Sequence, residues 1–208
     1  MKPLDTIRKA QRRALDWIVE NFPAVGLDRR AEQFVSIFKE FVPPASRVLD
    51  IGGGWGFYAE PLKRVKDCDV TVLDVVEPRF RKAPVVLYGG EDFPFPDRSF
   101  DVSLLVTMLH HVSRPERVLA EAKRVTRRAV IVVEDLYRTA AGRLWTVLRD
   151  RLYNLEFAGH PCQFRKKEEW FRCFKKLGLT LEFEKEIHTF LAGMRILNGI
   201  FVLGVEHG

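Results

Sequence analysis

The residues able to do chemistry gather at three places in this 208-residue chain. The first is Asp50 and the turn behind it, Gly52-Gly53-Gly54-Trp55-Gly56. Glycine lets the backbone turn sharply there, and lets a ligand approach it without a Cβ in the way. A helical pattern at roughly 55–66 follows, whose free N–H groups would point at whatever sits over the turn. The second place is Asp74, which ends the next apolar run. A carboxylate at the end of the second strand of a doubly wound sheet accepts hydrogen bonds from both ribose hydroxyls and repels a 2′-phosphate. It can equally cap the segment before Glu77-Pro78, and the two roles are compatible. The third is Thr107-Met108-Leu109-His110-His111, where a further apolar run stops. An imidazole there serves as a base for an acceptor that must lose a proton, or as a structural strand-end residue. The residue types leave both open.

The glycine spacing narrows the ligand. Gly52, Gly54 and Gly56 read G-x-G-x-G, and the third glycine of the dinucleotide fingerprint would fall on Phe57. That position calls for a small residue so that helix and strand pack closely. A nucleoside-type ligand therefore fits better than a pyrophosphate-bridged one, and a nicotinamide oxidoreductase is disfavoured. The loop Gly89 to Asp101 carries Glu91, Asp92 and Phe93 ahead of Pro94 and Pro96. The prolines bar a regular helix, and the acids and aromatics are of the types that wall and hydrogen-bond a purine ring.

These places need a sheet to hold them. Apolar runs at 47–51, 69–74, 84–88, 100–106 and 128–133 read as strands, with helical stretches at 55–66 and 115–125 between them. Such alternation predicts a parallel sheet covered on both faces, with ligands at the carboxyl ends of its strands. Two helices, 4–22 and about 28–41, come first, the second capped by Asp28 and stopped by Pro43-Pro44. They predict a helical N-terminal cover. Helices at 141–157 and 166–177 and strands at about 179–190 and 195–205 complete the chain. The expected fold is α/β, a Rossmann-like, doubly wound, mostly parallel seven-stranded sheet with an antiparallel C-terminal edge pair. One domain is expected over 1–208: cover 1–44, cofactor-binding core 45–135, lid or substrate region 136–178, terminal strands 179–208.

Composition sets outer bounds. Hydrophobic residues at 47% and charged residues at 30% describe a globular chain with a sizeable core. The net charge of +6 suits an acidic partner such as RNA or a membrane surface, and equally a surface laced with ion pairs. Cys68, Cys162 and Cys173 contain no C-x-x-C pair, which argues against a disulfide scaffold or zinc site and for a reducing cytoplasm. The apolar segment Ile196 to Val205 is too short to span a bilayer.

Taken together, Val48 to Gly56, Asp74, Glu91 to Asp101 and Leu109-His110-His111 resemble class I S-adenosylmethionine-dependent methyltransferases. The likeness is to the small-molecule group whose loop reads L-P-F-x-x-x-x-F-D followed by L-H-H. It covers about residues 45–135. The resemblance implies S-adenosyl-L-methionine as cofactor and S-adenosyl-L-homocysteine as product. It places Gly52, Gly53 and Gly54 against the methionine part, Asp50 at its amino group, Asp74 at the ribose and Val75 beside the adenine. Thr107 falls at the switch point, and Glu91 or Asp92 stands in for an adenine-binding acid whose usual place is Gly89 here. The turn before the last core strand also departs from the family, with Thr126-Arg127-Arg128 in place of P-G-G.

Methyl transfer from a sulfonium is an in-line displacement needing no metal, and no metal site is expected. The acceptor read from the resemblance is a small or lipid-like molecule attacked at O, N or C, with His110 or His111 as base where one is needed. Two other readings stand beside it. RNA methylation is suggested by the basic helix with Arg8, Lys9, Arg12 and Arg13, and a non-catalytic cofactor-binding subunit by the altered adenine position.

Overall fold

The computed structural model describes residues 13–22, 26–154 and 161–206. A seven-stranded sheet runs through it: β1 (Arg47–Ile51), β2 (Asp69–Asp74), β3 (Val85–Leu87), β4 (Phe100–Val106), β5 (Thr126–Asp135), β6 (Leu179–Leu191) and β7 (Met194–Val205). The helices are α1 (13–21), α2 (Leu27–Phe38), α3 (Ala59–Lys66), α4 (Pro115–Val125), α5 (Ala140–Asn154) and α6 (Lys167–Lys176). The strand order is β3-β2-β1-β4-β5-β7-β6. The first five strands are parallel, and β7 lies antiparallel between β5 and β6. The expected class, sheet and C-terminal edge pair are all present.

Alternating side chains of the buried strands feed two cores, as a sheet covered on both faces requires. Leu49, Ile51, Leu73, Leu105, Val130 and Val132 face α4 and α6, with Trp170 and Phe174 filling the space. Val48, Val70, Val102, Leu104 and Ile131 face the other way, onto Phe34, Phe38 and Leu62 of α2 and α3. The chain winds β1 to β3 in one direction, then returns past β1 to form β4. Between β1 and β4 the direction reverses, and the carboxyl ends of the strands splay around a crevice there.

Some boundaries differ from expectation. The helix placed at 55–66 begins only at Ala59. Gly56 holds a φ of +77°, outside the helical region, so residues 52–58 stay in turns. Gly26, not Asp28, caps α2, and Asp28 instead pairs with Lys82. β5 starts at Thr126, directly after α4, so the P-G-G turn has no counterpart because there is no turn to make. Of the first helix, Arg13 is described, while Arg8, Lys9 and Arg12 lie outside the described residues. Much of the basic excess elsewhere is paired: Arg64 with Glu32, Arg81 with Glu77, Arg124 with Asp97 and Glu121, Arg127 with Asp101, Arg165 with Glu116. The three cysteines are buried free thiols. Among the described residues no helix is long and apolar enough to cross a membrane.

Candidate functional site

A cavity of about 250 Å³ opens at the splayed strand ends. The turn after β1 forms one wall. Asp50, the penultimate residue of β1, is fully buried beneath it, and neither carboxylate oxygen has a hydrogen-bond partner among the described residues. Burial, and then the charge of Asp74, push its carboxyl up to about 7. The turn backbone lies directly on this group, so that a Cβ on Gly53 would overlap the Asp50 carboxylate. An unpaired buried carboxylate costs free energy, and the cost is recovered when a cation or donor reaches it.

Asp74, at the end of β2, lines the same cavity. It braces the turn: Oδ2 accepts the Gly54 N–H at 3.0 Å and Oδ1 the Val76 N–H at 3.1 Å. Gly52, Gly53, Gly54 and Thr107 line the cavity as well. Val75, Glu91, Asp92 and Phe93 are not in its lining. Val75 is exposed. Glu91 and Asp92 turn to Arg117, at 3.4 and 2.9 Å. Phe93 is buried in the core, its ring edge-on to Tyr88 and its N–H donated to Glu121. Arg117 and Glu121 both lie on α4, so this helix holds the loop.

The opposite wall is built from three remote segments. His110 sits in a 3-10 turn, Leu109–His111, that follows β4 and is 1% exposed. Its Nδ1 lies 2.6 Å from Glu134 Oε2, and the other Glu134 oxygen accepts the Leu109 N–H at 2.7 Å. On its far side Asp150 of α5 lies 3.5 Å from His110 Nε2 and 3.7 Å from His111 Nε2. Phe164 stacks on the His110 ring at 4.3 Å. Burial pulls the His110 pKa down, but the carboxylates of Glu134 and Asp150 outweigh it and hold the ring up at about 10. So held, His110 donates protons and does not accept them near neutrality. Asp150 is itself kept below the usual carboxylate range, since the His110 hydrogen bond and the charges of His111, His110 and Arg149 overcome its burial.

A buried ionic network fixes α5 in that position. Asp135 accepts from Arg30 of α2 at 3.2 Å, from Asn198 of β7 at 2.6 Å, and from Arg149 of α5. Arg30 also reaches Thr189 of β6, whose hydroxyl donates to Asn198. Arg149 and Asp150 are neighbours, so the anchor and the group it aims are adjacent on one helix. The sequence reading missed Asp150, Glu134 and this network. Its one available signal was the Glu134-Asp135 pair ending the last parallel strand.

The family described as "Methyltransferase domain" matches residues 49–133. That stretch contains both the Asp50 turn and the His110 turn. Residues 49–133 carry a methyltransferase domain of the class I S-adenosylmethionine-dependent kind. Over 180 residues it is 30% identical to the chloroplastic 2-methyl-6-phytyl-1,4-hydroquinone methyltransferase 2 of Oryza sativa, covering 78% of this chain and 49% of that one. It is 30% identical over 123 residues to the ubiquinone/menaquinone biosynthesis C-methyltransferase of Ralstonia pickettii, covering 53% and 50%. The chain thus spans about half the length of these relatives. Its fold matches that of magnesium protoporphyrin IX methyltransferase from Synechocystis, solved with bound S-adenosylhomocysteine, at a TM-score of 0.61 and 15% identity over 88% of this chain and 84% of that one.

S-adenosylmethionine is the cofactor of a class I methyltransferase domain, and the residues present fit it. The unpaired Asp50 oxygens suit a cationic amino group, and the overlap awaiting any side chain at Gly53 explains a backbone kept bare at that point.

Proposed function

We propose that this chain moves the methyl group of S-adenosylmethionine to an O, N or C nucleophile of a small, apolar or lipid-like acceptor, releasing S-adenosylhomocysteine. One observation carries the reading: a single cavity has the Asp50–Asp74 wall on one side and the His110–His111–Asp150 wall on the other. Leu15, Leu27, Phe57, Val106, Met108, Leu191 and Ile196 line the space with them, and they suit an apolar acceptor. The quinone-precursor acceptors named for the two relatives are of this kind.

When bound, the cofactor supplies an electrophilic methyl group on sulfur. In this reading Asp50 would hold its amino group, the backbone of Gly52 to Gly54 its methionine part and Asp74 its ribose hydroxyls, with Val75 near the adenine. Glu91, Asp92 and Phe93 keep to the loop on α4, so the base rests mainly on apolar contact. Most of the acceleration would then come from the cavity walls holding the acceptor in place and excluding water. His110, as an imidazolium, orients an acceptor oxygen by donating to it. His111, partly exposed to the cavity, is the ring left to take a proton where the acceptor carries one.

The test is transfer of radiolabelled methyl from S-adenosylmethionine to separate pools of alkylated hydroquinones, phenols, small amines and bulk tRNA. Label in an apolar aromatic pool supports the reading. Label in tRNA alone, or in no pool while the cofactor binds, overturns it in favour of RNA methylation or of a non-catalytic subunit.

A further inference from the structure

Three metal-ligating side chains meet at the acceptor wall, and the methyl-transfer reading uses them only as donors and bases. His110, His111 and Asp150 each present one ligand atom, and the three atoms lie within 4.8 Å of one another. Asp150 Oδ1 is 3.5 Å from His110 Nε2 and 3.7 Å from His111 Nε2. Two ligands bonded at 2.0–2.1 Å to a tetrahedral ion are about 3.4 Å apart, so these pairs are near coordination distance already. All three residues line the cavity, and His110 is 1% exposed. Its Nε2 is buried, and the contact it makes among the described residues is the long one to Asp150, at 3.5 Å.

The surroundings add the features that hold a metal-binding histidine in place. The Nδ1 of His110 is engaged by Glu134 at 2.6 Å, a bond that fixes the ring and directs Nε2 inward. Asp150 is steadied by the Asn154 side-chain amide at 2.8 Å, and α5 is tied down at Arg149 through Asp135. Phe164 covers one face of the His110 ring. Among the described residues, the cluster faces the cavity.

We propose that His110 Nε2, His111 and Asp150 form a binding site for one first-row divalent cation, whose open positions face the acceptor cavity. Two imidazoles and one carboxylate select zinc, iron(II), cobalt(II) or manganese(II) over magnesium or calcium, which prefer all-oxygen shells. Three protein ligands leave room for an oxygen donor, as in a catalytic and not a structural site. The cation takes the place of the Nε2 proton, and Glu134 stays as its outer partner. Resting on the methyl-transfer reading, this assigns the acceptor class: a molecule that offers the ion a phenolic, enolic or carboxylate oxygen. Cation binding itself does not depend on that reading.

The experiment uses tag-free full chain, stripped with chelator and titrated with cobalt(II) chloride, with the visible spectrum and bound metal both recorded. Each sample is also titrated with S-adenosylhomocysteine. The expected result is one equivalent of cobalt, with d–d bands of a nitrogen–oxygen site, displaced by zinc and not by magnesium. His111→Ala and the near-isosteric Asp150→Asn should each weaken it about 100-fold while keeping S-adenosylhomocysteine affinity, and Glu134→Gln by about 10–100-fold. Retained S-adenosylhomocysteine binding shows that a variant has folded. Wild-type protein that takes up no cobalt below millimolar concentration overturns the proposal, leaving an ion-paired histidine cluster. So does cobalt binding that His111→Ala and Asp150→Asn leave unchanged. Cobalt binding without S-adenosylhomocysteine binding would instead sink the methyltransferase reading alone.

Discussion

The two walls of the cavity are made in opposite ways. The Asp50–Asp74 wall comes from short segments at the ends of adjacent parallel strands, β1 and β2, and its acid is left without a partner. The His110 wall is assembled from β4, β5 and α5, and its charges are closely paired. A wall with an unsatisfied buried charge is built to receive one. A wall whose charges are paired with one another is held in place and can aim its groups. The first therefore trades stability for ligand binding, and the second draws stability from its own network.

Breaking the second wall should cost the fold most. Asp135→Ala leaves Arg30 and Arg149 buried without their shared carboxylate. Loss of one partner from such a site costs about 3–5 kcal/mol, to be read as a lower urea midpoint. The first wall should respond with the opposite sign. Asp50 has its folded pKa raised to about 7 from an unfolded value near 3.8. The folded state therefore holds the proton more tightly, and this group's stabilising contribution is lost as pH rises from about 4 through 7. Asp50→Asn should flatten that slope and stabilise the ligand-free protein at pH 8 by about 2–4 kcal/mol, while weakening S-adenosylhomocysteine binding. Parallel slopes in variant and wild type would show that Asp50 finds a partner in solution.

Smaller effects sharpen the contrast. Gly53→Ala must displace the Asp50 carboxylate, and a loss of about 10-fold in S-adenosylhomocysteine affinity is expected by calorimetry. Arg117→Ala frees Glu91 and Asp92 on the loop over α4. A change in affinity under about 2-fold is expected, because surface pairs are worth little and this loop lies outside the cavity lining. A large loss would place the loop acids back at the cofactor.

The contrast also explains what the sequence could tell. Asp50, Gly52 to Gly54 and Asp74 stand at strand ends whose order follows from strand–helix alternation, so local pattern was enough to bring them together. The strand positions were legible for the same reason. Asp150 was not, because it reaches His110 only through α5, and the seat of α5 is set by pairs from α2, β5 and β7. An amphipathic helix in sequence does not reveal which buried charge it carries inward. Glu91 and Asp92 were drawn to the site by residue type, and Arg117 of α4 claims them in the structure. The false start of the helix at Trp55 came from Gly56, whose positive φ no periodicity shows.

The measurement that tests this division most directly is titration of S-adenosylhomocysteine into wild type, Asp74→Ala and His111→Ala, with NADH as control ligand. The account predicts binding in wild type, its loss in Asp74→Ala, affinity within about 2-fold of wild type in His111→Ala, and none for NADH. Equal loss in both variants, or undiminished binding in Asp74→Ala, would contradict it.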